Sequence, residues 1–317
     1  MTTFYTVADA KFFLGLVVLL NSLRLTGNEG ELVVLDRGLT PDQKERLAPH
    51  VRLVEVALDG LDNPTTLKPF PHLVGAEDVV VILDSDMMMT ANLADVEASA
   101  RDGAICLFPD HPSTQSRFFP EWRELFGLRA EPSPRRYMNA GFVAFSADVW
   151  PELLGRWWDL CRRIPPPAVF TAVSDQPFWA GDQDALNALL ASEIPHASIV
   201  ELPAYAVSIL DVVVDDYATL ACSAHGAGQP LLHAAMRPKV WQRDGWKIVR
   251  KHAYAKLVAR VLLADDVTLR LRASELPPWL RPDARGKALL RFLDLANATR
   301  SLGSRAARRA VAVARRR

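Results

Sequence analysis

Two hydrophobic periods alternate along the first two thirds of this 317-residue chain, one of short β-branched runs and one of longer helical stretches. A strand is predicted near residues 3–8, around Phe4-Tyr5-Thr6-Val7, and a buried helix near 11–25, ended by Gly27. The apolar stretch Phe12–Leu20 is too short to span a bilayer, runs into Asn21, and is followed by no small-residue cleavage site, so neither an anchor nor a signal peptide is expected. A strand at Glu31–Asp36 follows, then a helix opened by Thr40-Pro41-Asp42, with Thr40 as N-cap and Pro41 at the first helical position. Val51–Val56 reads as a short strand. Val79-Val80-Val81-Ile82-Leu83, unbroken and rich in β-branched residues, reads as a strand covered on both faces. Such a βαβ series predicts an α/β protein with a mostly parallel sheet and right-handed crossovers. Further strands are expected at Ala104–Phe108, Gly141–Phe145 and Ser198–Leu202, and helices at Pro151–Arg163 and from Asp184 to about Ser192. Proline punctuates Pro109–Pro134 and Ile164–Phe178, which are expected to be irregular loops over the carboxyl edge of the sheet, where specificity commonly resides.

The central strand ends in Asp84-Ser85-Asp86. In an extended segment residues i and i+2 share a side, so Asp84 and Asp86 would present two carboxylates to one cation while Ser85 faces away. Ligands of open α/β sheets bind outside the carboxyl ends of the strands, where this pair belongs. Four other segments carry chemistry. Met138-Asn139-Ala140-Gly141-Phe142 puts an amide and small residues before an apolar strand, where a ligand could approach backbone. Gly181-Asp182-Gln183-Asp184 opens an apolar helical pattern, and Leu231-Leu232-His233 is followed by Lys239 and Trp241. Val7-Ala8-Asp9 ends the first strand as a candidate base pocket.

Taken in order, TVAD, the strand ending Leu35-Asp36, LDSD, MNAGF, DQDALN and H-x5-K-x-W resemble the metal-dependent glycosyltransferases of the GT-A fold, in particular the retaining family 8 galactosyl- and glucosyltransferases, over residues 3–245. The resemblance implies a Rossmann-like mixed sheet flanked by helices and transfer of a hexose from a UDP-sugar to a glycan, lipid-linked or other hydroxyl acceptor, with retention. It implies Asp84, Asp86 and His233 as ligands of Mn²⁺, or of the harder Mg²⁺, a set of two carboxylates and one imidazole that suits either ion. Ala8, Asp9 and Lys11 would hold the base, with Asp9 accepting the imide proton of uracil. Ser85, Ala140 and Lys239 would lie at the donor, Lys239 as a point charge on the diphosphate. Lys68, ahead of the central strand, either contacts donor phosphate or is solvated. Asn139, Asp182, Gln183 and Asp184 match donor-sugar positions, with Asp182 on the sugar hydroxyls and Gln183 near the anomeric carbon; Asp184 has the alternative role of helix N-cap. The chain departs from the family at His-x-x-Gly-x-x-Lys-Pro-Trp, where Met236 stands at the glycine, Pro238 precedes Lys239 and Val240 replaces the proline. No second carboxylate suggests itself as the nucleophile of a double displacement, so front-face attack assisted by the leaving phosphate is the expected route.

Composition limits partners and compartment. Cys106, Cys161 and Cys222 lie far apart without C-x-x-C, fitting reduced thiols of a cytoplasmic protein. Zero net charge hides an asymmetry: Arg285 to Arg317 holds ten basic residues and one acid, Asp294, which leaves −9 on the remainder. Residues 1–250 are expected to form the catalytic domain, 251–283 a connecting segment, and 284–317 a basic amphipathic tail. In that tail Leu289, Leu293 and Ala296, then Ala307, Ala310, Val311 and Ala314, recur at helical spacing. An anionic membrane surface is the expected partner of such a face, placing a peripheral enzyme on the inner leaflet. A basic end without a role, or one that contacts nucleic acid or the acidic body, are the alternatives, and a nucleic-acid partner is not expected. Competing functional classes are a metal-dependent nucleotidyltransferase, for which a glycine-rich loop near the N-terminus is missing, and a non-catalytic sugar-nucleotide-binding protein.

Overall fold

A computed structural model describes residues 1–56, 64–165, 176–203, 212–235, 237–248, 252–286 and 288–289. Its main sheet is built from β1 (Thr2–Ala8), β2 (Glu31–Asp36), β3 (Arg52–Val54), β4 (Val79–Leu83), β6 (Ile105–Pro109), β7 (Met138–Ser146) and β8 (Ile199–Glu201), in the spatial order β3-β2-β1-β4-β7-β6-β8. The short strand β5 (Met87–Met89) leaves this sheet to pair with β12 (Leu231–His233), and β9 (Val212–Val214), β10 (Cys222–Ala224) and β11 (Ala227–Gly228) form a third, small sheet. Neighbours in the main sheet are parallel except around β7, which runs antiparallel to both β4 and β6. This mixed α/β sheet matches the fold class expected from the sequence.

Helices α1 (Phe13–Leu25), α2 (Pro41–Leu47), α3 (Pro71–Val74), α4 (Ala94–Arg101), α5 (Trp122–Phe126), α6 (Leu153–Cys161), α7 (Asp182–Ser192) and α8 (Ala253–Leu263) cover the sheet. Alternation along β4 divides the core in two. Val79, Val81 and Leu83 face one layer with Leu16, Leu19 and Leu20 of α1 and Leu257 and Val261 of α8. Val80 and Ile82 face the other, with Trp157 of α6 and Leu186 and Leu189 of α7. All five β4 residues are buried, which is why the strand reads as an unbroken apolar run. Each such side chain contributes about 1.5–3 kcal/mol through burial, so the strand that carries Asp84 is anchored from both sides.

Residues 252–280, expected to connect the catalytic domain to the tail, pack into the first of these cores through Leu257, Leu262, Leu271 and Leu280. Asn21, wholly buried within α1, fastens them there. Its Nδ2 donates to the carbonyls of Val261 and Leu269 at 2.8 and 3.0 Å, and its Oδ1 accepts from the Leu269 N–H at 2.8 Å. Thr40 caps α2 as read from the sequence, forming a capping box with Gln43. Two boundaries differ in ways that matter for the site. β7 begins at Met138, so Asn139-Ala140-Gly141 lies within the strand, and α7 begins at Asp182, so Asp182 and Gln183 belong to its first turn. The amphipathic face expected in the tail falls, beyond Leu289, outside the described residues, as does Met236.

Candidate active site

Asp84 and Asp86 converge through a turn and not through the extended geometry expected from their spacing. The Asp84 N–H donates to the Gly141 carbonyl at 2.9 Å, and the Met87 N–H then folds back onto the Asp84 carbonyl at 3.1 Å. β5 leaves this turn and pairs with β12 in a register that sets Met87 opposite His233. The imidazole is thereby delivered between the carboxylates, its Nε2 lying 3.4 Å from Asp84 Oδ2 and 3.1 Å from Asp86 Oδ1. One ligand atom from each of the three residues lies within 4.8 Å of the others. Two carboxylate oxygens and one ring nitrogen this close suit a divalent cation, which relieves the repulsion of the paired acids. Asp86 is almost wholly buried and also takes a hydrogen bond from the Lys239 ammonium, which in turn donates to the Ala234 carbonyl at 2.7 Å. Burial pushes the Asp86 carboxyl up, but the charges and hydrogen bonds of His233 and Lys239 outweigh it and hold it well below the carboxylate range.

Close packing shapes this turn from behind. A Cβ on Gly15 of α1 would stand 2.7 Å from both the Ser85 carbonyl oxygen and the Trp241 ring. Trp241 donates from its indole nitrogen to the Lys11 carbonyl at 3.0 Å, tying the segment after His233 to the start of α1. A Cβ on Gly141 would lie 2.8 Å from Asp84 Oδ2, Asn139 Oδ1 and the Met87 methyl. Gly141→Ala is therefore expected to displace the Asp84 carboxylate at a strain of about 1–3 kcal/mol. Electron paramagnetic resonance titration with Mn²⁺ should show weakened binding in that variant, and unchanged affinity would mean that Asp84 does not depend on this contact.

The turn forms one wall of a cavity of about 310 Å³ at the carboxyl ends of β1 and β4, lined by Ala8, Asp9, Lys68, Asp84, Ser85, Asp86, Asn139, Gln183, His233 and Lys239 among others. Arg37 and Arg237, not singled out in the sequence, line it too. One Asp9 oxygen, Oδ1, accepts from the N–H groups of Lys11 and Phe12 at 2.8 and 3.1 Å and caps the turn before α1. Lys11 itself lies outside the lining and meets the site through its backbone.

Lys68 crosses the floor of the cavity. Its ammonium sits 2.9 Å from Asp84 Oδ1 and 2.9 Å from Asp182 Oδ2, charge against charge, and donates to the Ala140 carbonyl at 3.2 Å. These two carboxylates raise its pKa against the opposing effect of burial. Asp182 therefore stands behind Lys68 and does not line the cavity. Burial pushes its carboxyl up to about 6, with Lys68 pulling down and Asp84 adding to the rise. Ala140 has both backbone groups engaged, its carbonyl with Lys68 and its N–H with Gln183 Oε1 at 3.0 Å.

Asp184 sits elsewhere. It is the third residue of α7, whose N-cap is Gly181. Its carboxylate, fully buried, accepts from Arg117 Nε and Nη2 at 2.6 and 2.8 Å, the Tyr137 hydroxyl at 2.7 Å and the Ala180 N–H at 2.8 Å. Those four bonds match the acceptor capacity of a carboxylate and join α7 to the segment between β6 and β7. That segment also supplies Asp110, which binds both Asn139 and Gln183. Arg117 belongs to the proline-punctuated loop expected from the sequence, whereas Asp110 was not singled out there. Asp110 had a signal, since it ends the apolar run of β6 as Asp84 ends that of β4.

No protein-family model and no curated protein matches the sequence. Solved structures do. The bifunctional glycosyltransferase WbbM superposes with a TM-score of 0.53 at 15% identity, over 81% of this chain and 49% of that one, so the chain spans about half of WbbM. An active-site mutant of LgtC superposes with a TM-score of 0.51 at 17% identity, over 83% of this chain and 98% of that one. The chain has the GT-A glycosyltransferase fold. Its candidate metal triad stands at the carboxyl end of β4. Among the described residues, no helix is long and apolar enough to cross a membrane.

Proposed function

We propose that this protein is a metal-dependent hexosyltransferase that takes its sugar from a UDP-sugar and passes it, with retention, to a glycan, lipid-linked or other hydroxyl acceptor. The observation that carries this reading is the convergence of Asp84, Asp86 and His233 on the wall of a cavity that Asn139 and Gln183 also line. A divalent cation held by those three residues, Mn²⁺ or Mg²⁺, would neutralise the charge that builds on a leaving diphosphate. Lys239 and Arg237 add fixed positive charge at the same wall, and Asp9 has a second oxygen beyond the one that caps the turn, available to an imide proton. Gln183 and Asn139 supply neutral dipoles to the sugar and suit front-face transfer, in which no side chain becomes covalently attached. Asp182 acts through Lys68 in this scheme, holding the ammonium in place between two carboxylates. The basic tail would meet an anionic membrane surface and hold the enzyme near its acceptor.

Calorimetry of UDP with and without Mn²⁺, followed by a hydrolysis screen over a panel of nucleotide sugars, tests the proposal. UDP binding that requires the cation, with turnover of at least one UDP-hexose, is expected. His233→Ala should weaken cation and UDP binding together, because the cation loses a ligand and the diphosphate then loses the cation. Binding without turnover would favour a sugar-nucleotide-binding protein, and turnover of a nucleoside triphosphate would favour a nucleotidyltransferase. Anomeric proton couplings of the product decide retention, a β-linked product from an α-linked donor being the contrary result.

A further inference from the structure

We propose that Asp110 is the positioning residue of the sugar pocket, fixing which way round the carboxamides of Gln183 and Asn139 stand. It follows β6 and lies outside the lining of the cavity. Its Oδ1 accepts from Asn139 Nδ2 at 2.9 Å and its Oδ2 from Gln183 Nε2 at 3.1 Å, with the Thr114 hydroxyl 2.6 Å from the same Oδ2. The opposite ends of both amides meet the backbone of β7. The Gly141 N–H donates to Asn139 Oδ1 at 2.8 Å and the Ala140 N–H donates to Gln183 Oε1 at 3.0 Å. A carboxylate only accepts and a backbone N–H only donates, so turning either amide over would set oxygen against oxygen at one end and N–H against N–H at the other. The orientation therefore follows from the chemistry of the neighbours.

Asp110 is itself held before it can hold anything else. Its N–H donates to the Tyr137 carbonyl at 3.0 Å and its carbonyl accepts from Gln115 Nε2 at 2.7 Å, which leaves the carboxylate little freedom. Both amide oxygens are kept on the β7 side, Asn139 Oδ1 at the Gly141 N–H and Gln183 Oε1 at the Ala140 N–H, and both nitrogens on the side of Asp110. On the glycosyltransferase reading, on which this inference rests, such oxygens suit the positive charge that develops at an anomeric carbon as its diphosphate departs. Preorganised dipoles of this kind need no rearrangement in the transition state.

Asp110→Asn changes shape little but offers one acceptor oxygen where two amides need one each. In the 317-residue chain, kcat for nucleotide-sugar hydrolysis should fall about a hundredfold, the scale of a misplaced catalytic contact. UDP binding with Mn²⁺ should be unchanged, because none of the three metal ligands is touched. Gln183→Glu alone sets a second carboxylate against Asp110 and should be impaired more severely than Asp110→Asn, with a residual rate still measurable. The double variant Asp110→Asn/Gln183→Glu restores a donor facing an acceptor and should recover about tenfold over Gln183→Glu, a rescue that two independent structural lesions would not produce. The Gln183 side-chain NH₂ cross-peak in ¹H–¹⁵N spectra, assigned by its loss in Gln183→Glu, should shift in Asp110→Asn. An unmoved cross-peak, or a double variant no better than Gln183→Glu, would overturn the assignment. Should the wild type neither bind UDP with Mn²⁺ nor turn over any nucleotide sugar, the glycosyltransferase reading fails and the cross-peak alone decides for Asp110.

Discussion

Asp86→Asn is expected to abolish cation-dependent UDP binding and to destabilise the fold at the same time. The Asp86 side chain is 4% exposed, bonded to Lys239 and 3.1 Å from His233. Neutralising it removes a candidate metal ligand and leaves the Lys239 ammonium, its side chain 8% exposed, without its counter-charge. Breaking a buried pair from one side costs about 3–5 kcal/mol, since the orphaned charge keeps its desolvation penalty and loses its partner. Against a total stability of about 5–15 kcal/mol, the variant should still fold, with a much lower denaturation midpoint. Asp86→Asn/Lys239→Met should recover most of that stability but none of the cation binding, which separates the two roles. Urea denaturation and Mn²⁺ titration of the three proteins read the outcome. Full stability in Asp86→Asn would show that Lys239 does not pair with this carboxylate in solution.

Asp184→Ala should destabilise by a similar amount for a reason remote from the candidate metal triad. The carboxylate has no exposure, and the Arg117 side chain that binds it is 7% exposed, with its guanidinium 4.6 Å from the centre of the Phe119 ring. Burial raises the Asp184 carboxyl in spite of Arg117, while the carboxylate raises Arg117 against its own burial; in general, making a buried pair is close to break-even. Removing half of it is not. A buried guanidinium that keeps its bond to the Gln176 carbonyl but loses its counter-charge, with Tyr137 also losing its acceptor, is expected to lower stability by about 3–5 kcal/mol and to release the segment between β6 and β7 from α7. Thermal unfolding and limited proteolysis within residues 110–137 measure both effects. Asp110 rides on that segment, so turnover should fall as well, although residue 184 does not line the cavity. Wild-type protease resistance would mean that other contacts hold the segment in place.

Local chemistry made the strands and most of their ends legible. β4 could be read because five buried residues in a row leave an apolar signature that ends where the charges begin. The capping box at Thr40 could be read because its partners are three residues apart. β5, β9, β10, β11 and β12, each of two or three residues and all outside the main sheet, were not read, because no run of alternating or apolar residues as long as those around β3 and β8 marks them. The same holds for α3 and α5, four and five residues long.

The candidate site divides along the same line. Asp84, Asp86, Asn139, Gln183 and His233 were nameable from the sequence, since strand ends and helix starts advertise polar residues placed beside apolar runs, and their ordered motifs resemble a known fold. How those groups meet was not. The turn that brings Asp84 and Asp86 together, the register that sets His233 opposite Met87 and against Asp86, and the lysine bridging residues 84 and 182 join parts of the chain up to 147 positions apart. Asp184 shows the limit most plainly: sharing a motif with Asp182 and Gln183 made it look like a donor ligand, and it binds Arg117, 67 residues away. Residue type and local spacing say which groups a segment can offer. Which of them face the cavity and which are consumed as one another's partners depends on hydrogen-bond donors and counter-charges delivered by other strands, and those arrive only when the sheet assembles.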